Sequence, residues 1–263
     1  MELCTIASGS SGNSACVGLG GQHFLVDAGV SGKRIQNALD QMNVRKISGI
    51  FITHEHRDHI TGAGVLARRF KDIKLYATPL TWRYFAASRC LGELNMEQIK
   101  VIEPGKPVEI DGVTITAFDI PHDAAQPVGY TFQSKEGKIA VATDLGHATD
   151  TVRQYLKNSQ IILLESNHDP VMLKNGPYYQ SLKDRVASNL GHLSNAQAGM
   201  LLTEVAGPKL EHVVLAHASE ENNTPFLAFD TVKRVLDGNS IKIKNLIVAE
   251  RHSPGVILRY GKN

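Results

Sequence analysis

Three histidines and an aspartate lie within the six residues 54–59 (HEHRDH), directly after the apolar run Ile50-Phe51-Ile52. The run predicts a buried strand, and polar groups that follow a strand commonly form the site of an α/β protein. In a tight turn the first two histidines can face one metal ion, while the aspartate and the last histidine face a second. Imidazole and carboxylate groups suit Zn²⁺, Mn²⁺ or Fe²⁺. We therefore predict a metal site here; a polar loop that is merely rich in histidine is the alternative.

Composition limits the classes of protein that could carry such a site. Of 263 residues, 42% are hydrophobic and 21% are charged, as in ordinary globular proteins. Lys plus Arg number 28 against 26 Asp plus Glu, a net charge of +2. This balance excludes a strongly basic nucleic-acid-binding protein, although it leaves room for a local basic patch. The 11 histidines are the unusual figure, because histidine is the commonest metal ligand.

The first residues and the cysteines indicate a compartment. Met1-Glu-Leu-Cys-Thr-Ile6 has neither the basic segment nor the apolar run of a signal peptide. No stretch approaches the roughly 18 apolar residues of a membrane span. The three cysteines, Cys4, Cys16 and Cys90, form neither a CxxC pair nor an even disulfide framework. We expect a cytoplasmic protein without membrane insertion, and the sequence indicates no protein partner or oligomeric state.

The elements that must position residues 54–59 alternate between strands and helices. We predict strands or β-rich segments over residues 3–7, 15–19, 23–27, 48–53, 107–118, 128–133, 138–142, 160–165, 212–216, 241–248 and 255–259. We predict helices over residues 31–42, 62–70, 79–88, 149–157, 178–190, 194–205 and 224–236. No linker, low-complexity tract or repeat interrupts this order. We therefore expect one α/β domain over residues 1–263, with mixed sheets inside and helices outside.

The pattern HxHxDH after an apolar strand resembles the signature of the metallo-β-lactamase superfamily. Four further segments resemble its other motifs in the expected order: Phe24-Leu-Val-Asp27-Ala-Gly29, Asp119-Ile-Pro-His122 with Pro127-Val-Gly-Tyr130, Val141-Ala-Thr-Asp144, and Val213-Val-Leu-Ala-His217-Ala-Ser219. The resemblance implies a single αββα sandwich, two mixed β-sheets flanked by helices, with two divalent metal ions per chain.

The same resemblance implies a role for each motif residue. Its metal ligands would be His54, His56 and His122 on the first ion, Asp58, His59 and His217 on the second, and Asp144 between them. A carboxylate can bridge ions that lie about 3.5–4 Å apart, and the pair would turn a water into the hydroxide that attacks phosphorus. Asp58 would thus serve catalysis as well as binding. Asp27 would orient the loop, with a turn-capping role as the alternative.

Two segments between the last two motifs indicate the class of substrate. Glu165, at the end of a predicted strand, and His192, at the start of a predicted helix, resemble elements of tRNase Z-like phosphodiesterases. That resemblance implies that His192 donates a proton to the leaving group while Glu165 orients it. A capping or core histidine is the alternative. Only 72 residues separate Asp144 from His217, too few for the cap domain of the β-CASP nucleases.

The complete set of motifs resembles the YycJ/WalJ (VicX) family of bacterial cytoplasmic proteins, which is associated with 5′→3′ DNA exonuclease activity. We expect a dinuclear metal-dependent phosphodiesterase that acts on nucleic acid, with DNA as its substrate. The loop 8–13 could bind a phosphate through Ser11 and Asn13, or it is a simple turn; Arg185 could attract a polyanion. The alternatives are a small-molecule phosphodiesterase or thioesterase, and a metal-bound regulatory or scaffold protein linked to cell-wall signalling.

Overall fold

Two seven-stranded β-sheets pack face to face in the computed structural model, which describes residues 1–261. The strands of the first sheet are β1 Glu2–Ala7, β2 Ser14–Leu19, β3 Gln22–Val26, β4 Gly49–Phe51, β5 Leu75–Ala77, β6 Ile99–Val101 and β14 Leu258–Arg259. Those of the second are β7 Pro107–Ile110, β8 Val113–Asp119, β9 Val128–Ser134, β10 Gly137–Ala142, β11 Ile161–Glu165, β12 His212–Ala216 and β13 Asn245–Val248.

Each sheet has an antiparallel part and a parallel part. In the first sheet the order is β14-β1-β2-β3-β4-β5-β6, and the strands from β3 to β6 are parallel. In the second the order is β13-β12-β11-β10-β9-β8-β7, and the strands from β10 to β13 are parallel. The carboxyl ends of parallel strands meet at one edge of a sheet, where ligand sites of α/β proteins form. Both sheets therefore supply such an edge.

Helices cover the outer face of both sheets. Their bounds are α1 Gly32–Gln41, α2 Arg57–Ile60, α3 Ala63–Arg69, α4 Pro79–Ser88, α5 Asp150–Leu156, α6 Pro170–Asn175, α7 Gln180–Val186, α8 Asn195–Val205 and α9 Pro225–Gly238. Apolar residues of α1, α3 and α4 share one buried cluster with the first sheet. Those of α5, α8 and α9 share another with the second sheet. The expected αββα sandwich is confirmed.

An apolar layer fills the space between the sheets. Its largest members are aromatic: Phe51 stacks on Tyr76 with ring centroids 4.4 Å apart, and it meets Phe24 and Tyr130 edge-on. Fully buried aromatic pairs contribute beyond their buried area. The Tyr130 hydroxyl donates to the carbonyl of Ile52 at 2.7 Å, so it ties the second sheet to the strand that precedes residues 54–59.

Several element bounds differ from the predictions. The helix expected over 178–190 covers only Gln180–Val186, and the strands expected over 241–248 and 255–259 shrink to Asn245–Val248 and Leu258–Arg259. Strands β5 and β6 were not predicted because three residues show no periodicity. Helix α6 was also missed, although Asp169 caps it and Pro170 opens it, which is a readable signal.

None of the helices within residues 1–261 is long and apolar enough to cross a membrane.

Candidate metal centre

The predicted ligands gather where strands of both sheets end. Asp27 follows β3 and His54 lies three residues beyond β4 in the first sheet. Asp144, Glu165 and His217 stand at the ends of the neighbouring parallel strands β10, β11 and β12. His122 follows β8. Residues as distant as 27 and 217 thus meet because the edges of the two sheets face each other.

The turn expected at residues 54–59 contains a short helix. His56 precedes α2, and the His59 N–H donates to the His56 carbonyl at 2.9 Å. His54 and His56 come before the helical turn, whereas Asp58 and His59 lie within it. The four side chains thus approach the centre from two parts of the turn, and the rings of His54 and His59 lie close to each other, with centroids 4.2 Å apart.

Gly29 lets the Asp27 loop lie directly against this turn. The Asn13 N–H donates to the Asp58 carbonyl at 2.7 Å, and the Ala28 N–H donates to the His59 carbonyl at 2.8 Å. A Cβ placed on Gly29 would stand 1.6 Å from the Asp58 carbonyl oxygen, so no other residue fits there without moving the turn. The glycine of the FLVDAG segment is therefore explained by close backbone approach.

Three site residues have left-handed backbones. The φ angles are 58° at Asp27, 58° at Asp144 and 56° at His217. Non-glycine residues seldom adopt this conformation, and such strain is concentrated at functional sites. Here each residue ends a strand, so the chain turns sharply and its side chain reaches the site rather than the sheet face.

Two groups of potential ligands lie side by side. His54, His56 and His122 form one group and Asp58, His59 and His217 the other, and within each group the ligand atoms lie within 4.8 Å of one another. Asp144 stands between them: its Oδ1 lies 3.7 Å from His122 Nε2 and 3.5 Å from His217 Nε2. Its Oδ2 lies 3.3 Å from His59 Nε2. The structure therefore brings all seven predicted ligands together; because His54, His59 and Asp144 also form a group of their own, the division into two sites stays a prediction.

The histidines are held by their outer ring nitrogens. His59 Nδ1 donates to Asp27 Oδ2 at 2.7 Å, and His122 Nδ1 contacts the Gly191 carbonyl at 3.2 Å. The Thr53 hydroxyl donates to Asp27, so it accepts from His54 Nδ1 at 3.0 Å. These bonds fix the tautomer and leave Nε2 of each ring facing the centre, which is how metal-ligating histidines are oriented. Thr53 was not predicted.

Three buried atoms at the centre lack hydrogen bonds. His54 Nε2, His217 Nε2 and Asp144 Oδ2 have no hydrogen-bond partner within residues 1–261. Buried polar atoms are almost always satisfied, so three orphans that lie among mutually facing ligand groups need an explanation. All three are atoms with a free electron pair when the histidines are neutral, and divalent cations would satisfy them. The residues present therefore fit metal ions.

Acidic groups dominate the electrostatics of the centre. Burial alone would lower the pKa of His217, but the charge of Asp144, the Asp58 carboxylate 3.6 Å from Nε2 and the hydrogen bond to Glu165 raise it to about 10. Against the same effect of burial, Asp144 and Asp27 raise the pKa of His59 well above its usual value. Burial and the neighbouring His59, His122 and His56 lower the pKa of His54. The surplus of carboxylate thus favours bound positive charge.

Glu165 joins the metal centre to His192. Its Oε1 accepts from His217 Nδ1 at 2.9 Å and from His192 Nδ1 at 2.8 Å. Its Oε2 accepts the N–H groups of Leu145 and Leu193, at 2.7 and 3.0 Å. Although Glu165 and His192 also lie within ligand distance of Asp144 and His217, four hydrogen bonds occupy the lone-pair sites of this carboxylate. Its protein partners thus hold this carboxylate in a fixed orientation.

His192 faces the cavity above the ligands. This cavity has a volume of about 190 Å³, and its lining includes His56, Asp144, Tyr178 and Ser219. The His192 side chain is 15% exposed, and no residue within 1–261 bonds its Nε2. His192 was expected at the start of a helix; that helix, α8, begins at Asn195 with Ser194 as its N-cap, so His192 lies in the loop before it. A larger cavity of about 670 Å³, near residues 44–48 and 69–74, contains none of the predicted site residues.

The three predicted substrate contacts have different surroundings. The Asn13 side chain is buried and donates to Asp58 Oδ2 at 3.1 Å, so it contacts a predicted ligand. Ser11 is exposed in a cleft beside the cavity. Arg185 lines the cavity itself, where its Nε donates to Asp123 Oδ2 at 2.5 Å. Their roles toward substrate stay predictions.

Replacing Asp27 with asparagine is expected to weaken metal binding about 10–100-fold, because partners of this kind orient ligating histidines. The Asp27 carboxylate accepts from Thr53 N at 2.8 Å, from the Thr53 hydroxyl and from His59, and asparagine cannot accept all three. Competition against a chromophoric chelator measures the change. Asp40→Asn, at an exposed position of α1, is the control. Equal affinities for Asp27→Asn and the parent would assign Asp27 to turn capping alone.

Known proteins share both the sequence pattern and the fold. The model of the beta-lactamase superfamily domain matches residues 22–218. Exodeoxyribonuclease YycJ of Bacillus anthracis is 37% identical over 239 residues, which cover 90% of this chain and 89% of the relative. Exodeoxyribonuclease WalJ of Streptococcus pneumoniae is 38% identical over 229 residues, 86% of this chain and 85% of the relative.

Solved structures agree on the fold. The metallo-beta-lactamase fold protein YhfI from Bacillus subtilis superposes with a TM-score of 0.72 at 16% identity and covers 98% of both chains. Zn²⁺-bound PqqB from Methylobacterium extorquens superposes with a TM-score of 0.73 at 17% identity, over 99% of this chain and 100% of its own. Together with the ordered motifs, these matches show that the chain belongs to the metallo-β-lactamase superfamily and, within it, to the YycJ/WalJ family.

Proposed function

We propose that this chain is a dinuclear metal-dependent phosphodiesterase that degrades nucleic acid, and specifically a 5′→3′ DNA exonuclease. The observation that carries the proposal is the pair of ligand groups on either side of Asp144, next to a non-ligand histidine held by Glu165. This arrangement supplies sites for two cations and a separate proton donor, which phosphodiester hydrolysis requires. The two relatives named exodeoxyribonucleases support DNA as the substrate.

Seven residues would hold the two ions, which we propose to be Zn²⁺, Mn²⁺ or Fe²⁺: His54, His56 and His122 on one side, Asp58, His59 and His217 on the other, and Asp144 between them. When bound, such ions acidify a water for attack on phosphorus and neutralise charge on the phosphate. Asp27, Thr53 and Glu165 keep the ligand nitrogens aimed at the centre. The Asn13 amide nitrogen lies 3.1 Å from both Asp58 Oδ2 and His59 Nε2, so it contacts the proposed ligand atoms themselves. A cytoplasmic location stays a prediction.

The chain itself supplies the proton for the leaving group. An alkoxide leaves poorly unless it is protonated as its bond to phosphorus breaks. Because Glu165 accepts only from Nδ1 of His192, the Nε2 side of that ring stays available to the cavity. The bond to the buried Glu165 carboxylate also fixes the direction of the His192 ring. We assign this step to His192 and the positioning of its ring to Glu165.

End-labelled duplex DNA incubated with purified protein and Mn²⁺ tests the proposed function. Products that shorten from the 5′ end, and the loss of cleavage with a chelator, are the expected result. Turnover of bis-p-nitrophenyl phosphate with intact DNA would instead favour a small-molecule phosphodiesterase. Failure to hydrolyse either substrate would favour the regulatory or scaffold alternative and contradict the proposal.

His54→Ala and His59→Ala are expected to empty different metal sites. His54 and His59 both group with Asp144, but His54 also groups with His56 and His122, and His59 with Asp58 and His217. If these last two groups are the two sites, each substitution removes a ligand from one of them. Anomalous scattering at the metal edge, measured on crystals of each variant, locates the remaining ion. Complementary occupancies are expected. Full occupancy of both sites in either variant would contradict the assignment of ligands.

A further inference from the structure

A second cleft adjoins the cavity above the ligands. It has a volume of about 530 Å³, and it shares Ser10 and Asp58 with that cavity. Its other lining residues are Ser11, Gly29, Val30, Ser31, Arg34, Arg57 and Thr61. We call it the arginine cleft. A strand of nucleic acid that lies across the metal centre could therefore continue directly into it.

Two of the three charged residues that line the arginine cleft are arginines. Arg34, Arg57 and Asp58 are the charged residues of its lining, and Asp58 belongs to the second ligand group. The Arg57 guanidinium forms no hydrogen bond or ion pair with any residue of the described chain. Arg34 gives one N–H to the carbonyl of Arg251 at 3.4 Å. Since a guanidinium carries five N–H donors, the two side chains hold many unused donors beside the metal centre.

Arg185, on the α7 side of the neighbouring cavity, differs from these two arginines because it has an acidic partner. Its guanidinium is already paired with Asp123. A phosphate would have to compete with that carboxylate for Arg185, whereas Arg57 has no acidic partner within residues 1–261. A guanidinium without an acidic partner binds phosphate at the lower cost. This difference favours the arginine cleft over Arg185 as the place for a phosphate.

The loop between the two cavities adds backbone donors. Gly9 and Gly12 have φ angles of 134° and 153°, which only glycine adopts readily, and they turn the loop outward at Ser10 and Ser11. The Gly12 N–H donates to the Gly9 carbonyl at 2.9 Å, and the Gly9 N–H donates to Asn13 Oδ1 at 2.8 Å. The N–H groups of Ser10 and Ser11 bond to no acceptor within residues 1–261.

We propose that the arginine cleft binds a second phosphate of the nucleic-acid strand, next to the phosphate that is hydrolysed, through Arg57 and Arg34. The inference rests on the proposed function, because it takes the metal centre as the place of cleavage. It makes the chain selective for a polynucleotide over an isolated phosphodiester. A small ester with a single phosphate occupies the metal centre alone and has no second phosphate for the two guanidinium groups.

Salt dependence tests the contact without relying on turnover. The Mn²⁺-loaded protein is titrated with a fluorescent single-stranded phosphorothioate oligonucleotide at several NaCl concentrations. For a single strand, each phosphate contact contributes about 0.7 to the magnitude of the slope of log association constant against log salt concentration. Arg57→Ala is expected to reduce the slope by about 0.7, and Arg34→Ala with Arg57→Ala by about 1.4. Arg57→Lys, which keeps the charge, should retain the parent slope.

Activity gives a second readout. The ratio of kcat/KM on DNA to kcat/KM on bis-p-nitrophenyl phosphate should fall about tenfold in Arg57→Ala, the effect of losing one hydrogen-bonded charge contact. Arg83→Ala, at an exposed position of α4, is the control and should keep the parent ratio.

The outcomes separate the two proposals. DNA cleavage with unchanged slopes and ratios in the arginine variants would overturn the arginine cleft and leave the proposed function standing. A reduced slope in a protein that hydrolyses no DNA would support the cleft and overturn the proposed function. A protein that neither binds nor cleaves the oligonucleotide would overturn both.

Discussion

Alanine at position 144 is expected to abolish stoichiometric metal binding and hydrolysis together. The two Asp144 oxygens lie within 3.7 Å of nitrogens from both ligand groups, so the substitution removes a ligand from both proposed sites. The remaining carboxylate of Asp58 belongs to one group only. Metal binding depends on the number and geometry of the ligands, and it requires that these ligands lose their protons. Metal content by mass spectrometry and turnover of DNA measure the two losses.

Asp72→Ala provides a matched control, because that aspartate is exposed and lines the larger cavity, which contains none of the predicted site residues. It should hold the parent metal content and activity. Circular dichroism must show that Asp144→Ala retains the fold. A folded Asp144→Ala protein that still binds two ions per chain and turns over normally would show that Asp144 does not bridge the sites.

Alanine at position 192 is expected to lower DNA hydrolysis by about 10²–10⁴-fold while both metal ions stay bound, because that is the usual effect of removing a general acid. The substituted side chain leaves all seven proposed ligands in place. Glu165 keeps its hydrogen bonds to His217, Leu145 and Leu193. A p-nitrophenyl ester has a leaving group that needs little protonation, so its hydrolysis should remain close to that of the parent.

The contrast between the two substrates carries this prediction. His252→Ala, at an exposed position, is the control for the loss of an imidazole and should change neither rate. Equal losses on DNA and on the activated ester would assign His192 to binding or to structure. Loss of a metal ion from His192→Ala would make His192 a ligand, in the grouping that also contains Asp144, Glu165 and His217.

The location of the centre could be predicted from the sequence because its strongest signal is local. The strand, the turn and four side chains of residues 50–59 are consecutive, so short-range geometry alone brings four of the predicted ligands to one place. The remaining motif residues follow strands, which the family resemblance placed in order. Parallel strands then bring Asp144, Glu165 and His217 to one edge by the rules of sheet geometry.

The supporting contacts could not be predicted in the same way. The Gly191 carbonyl reaches His122 across 69 positions of sequence, and Asn13 reaches Asp58 across 45. Neither residue type nor spacing indicates which backbone carbonyl will accept a hydrogen bond from a histidine. The sequence also does not indicate which loop a buried asparagine will contact. The pairing of β14 with β1 in the first sheet could not be predicted either, because two paired residues show no hydrophobic periodicity.

Metal titration of the chelator-stripped protein tests the central claim most directly. Mn²⁺ is added in measured equivalents, while bound metal and the hydrolysis of end-labelled DNA are recorded in parallel. The account predicts no hydrolysis without metal and full activity only as the second equivalent per chain binds. Hydrolysis at the full rate by the metal-free chain, or full activity with a single bound ion, would contradict a dinuclear phosphodiesterase.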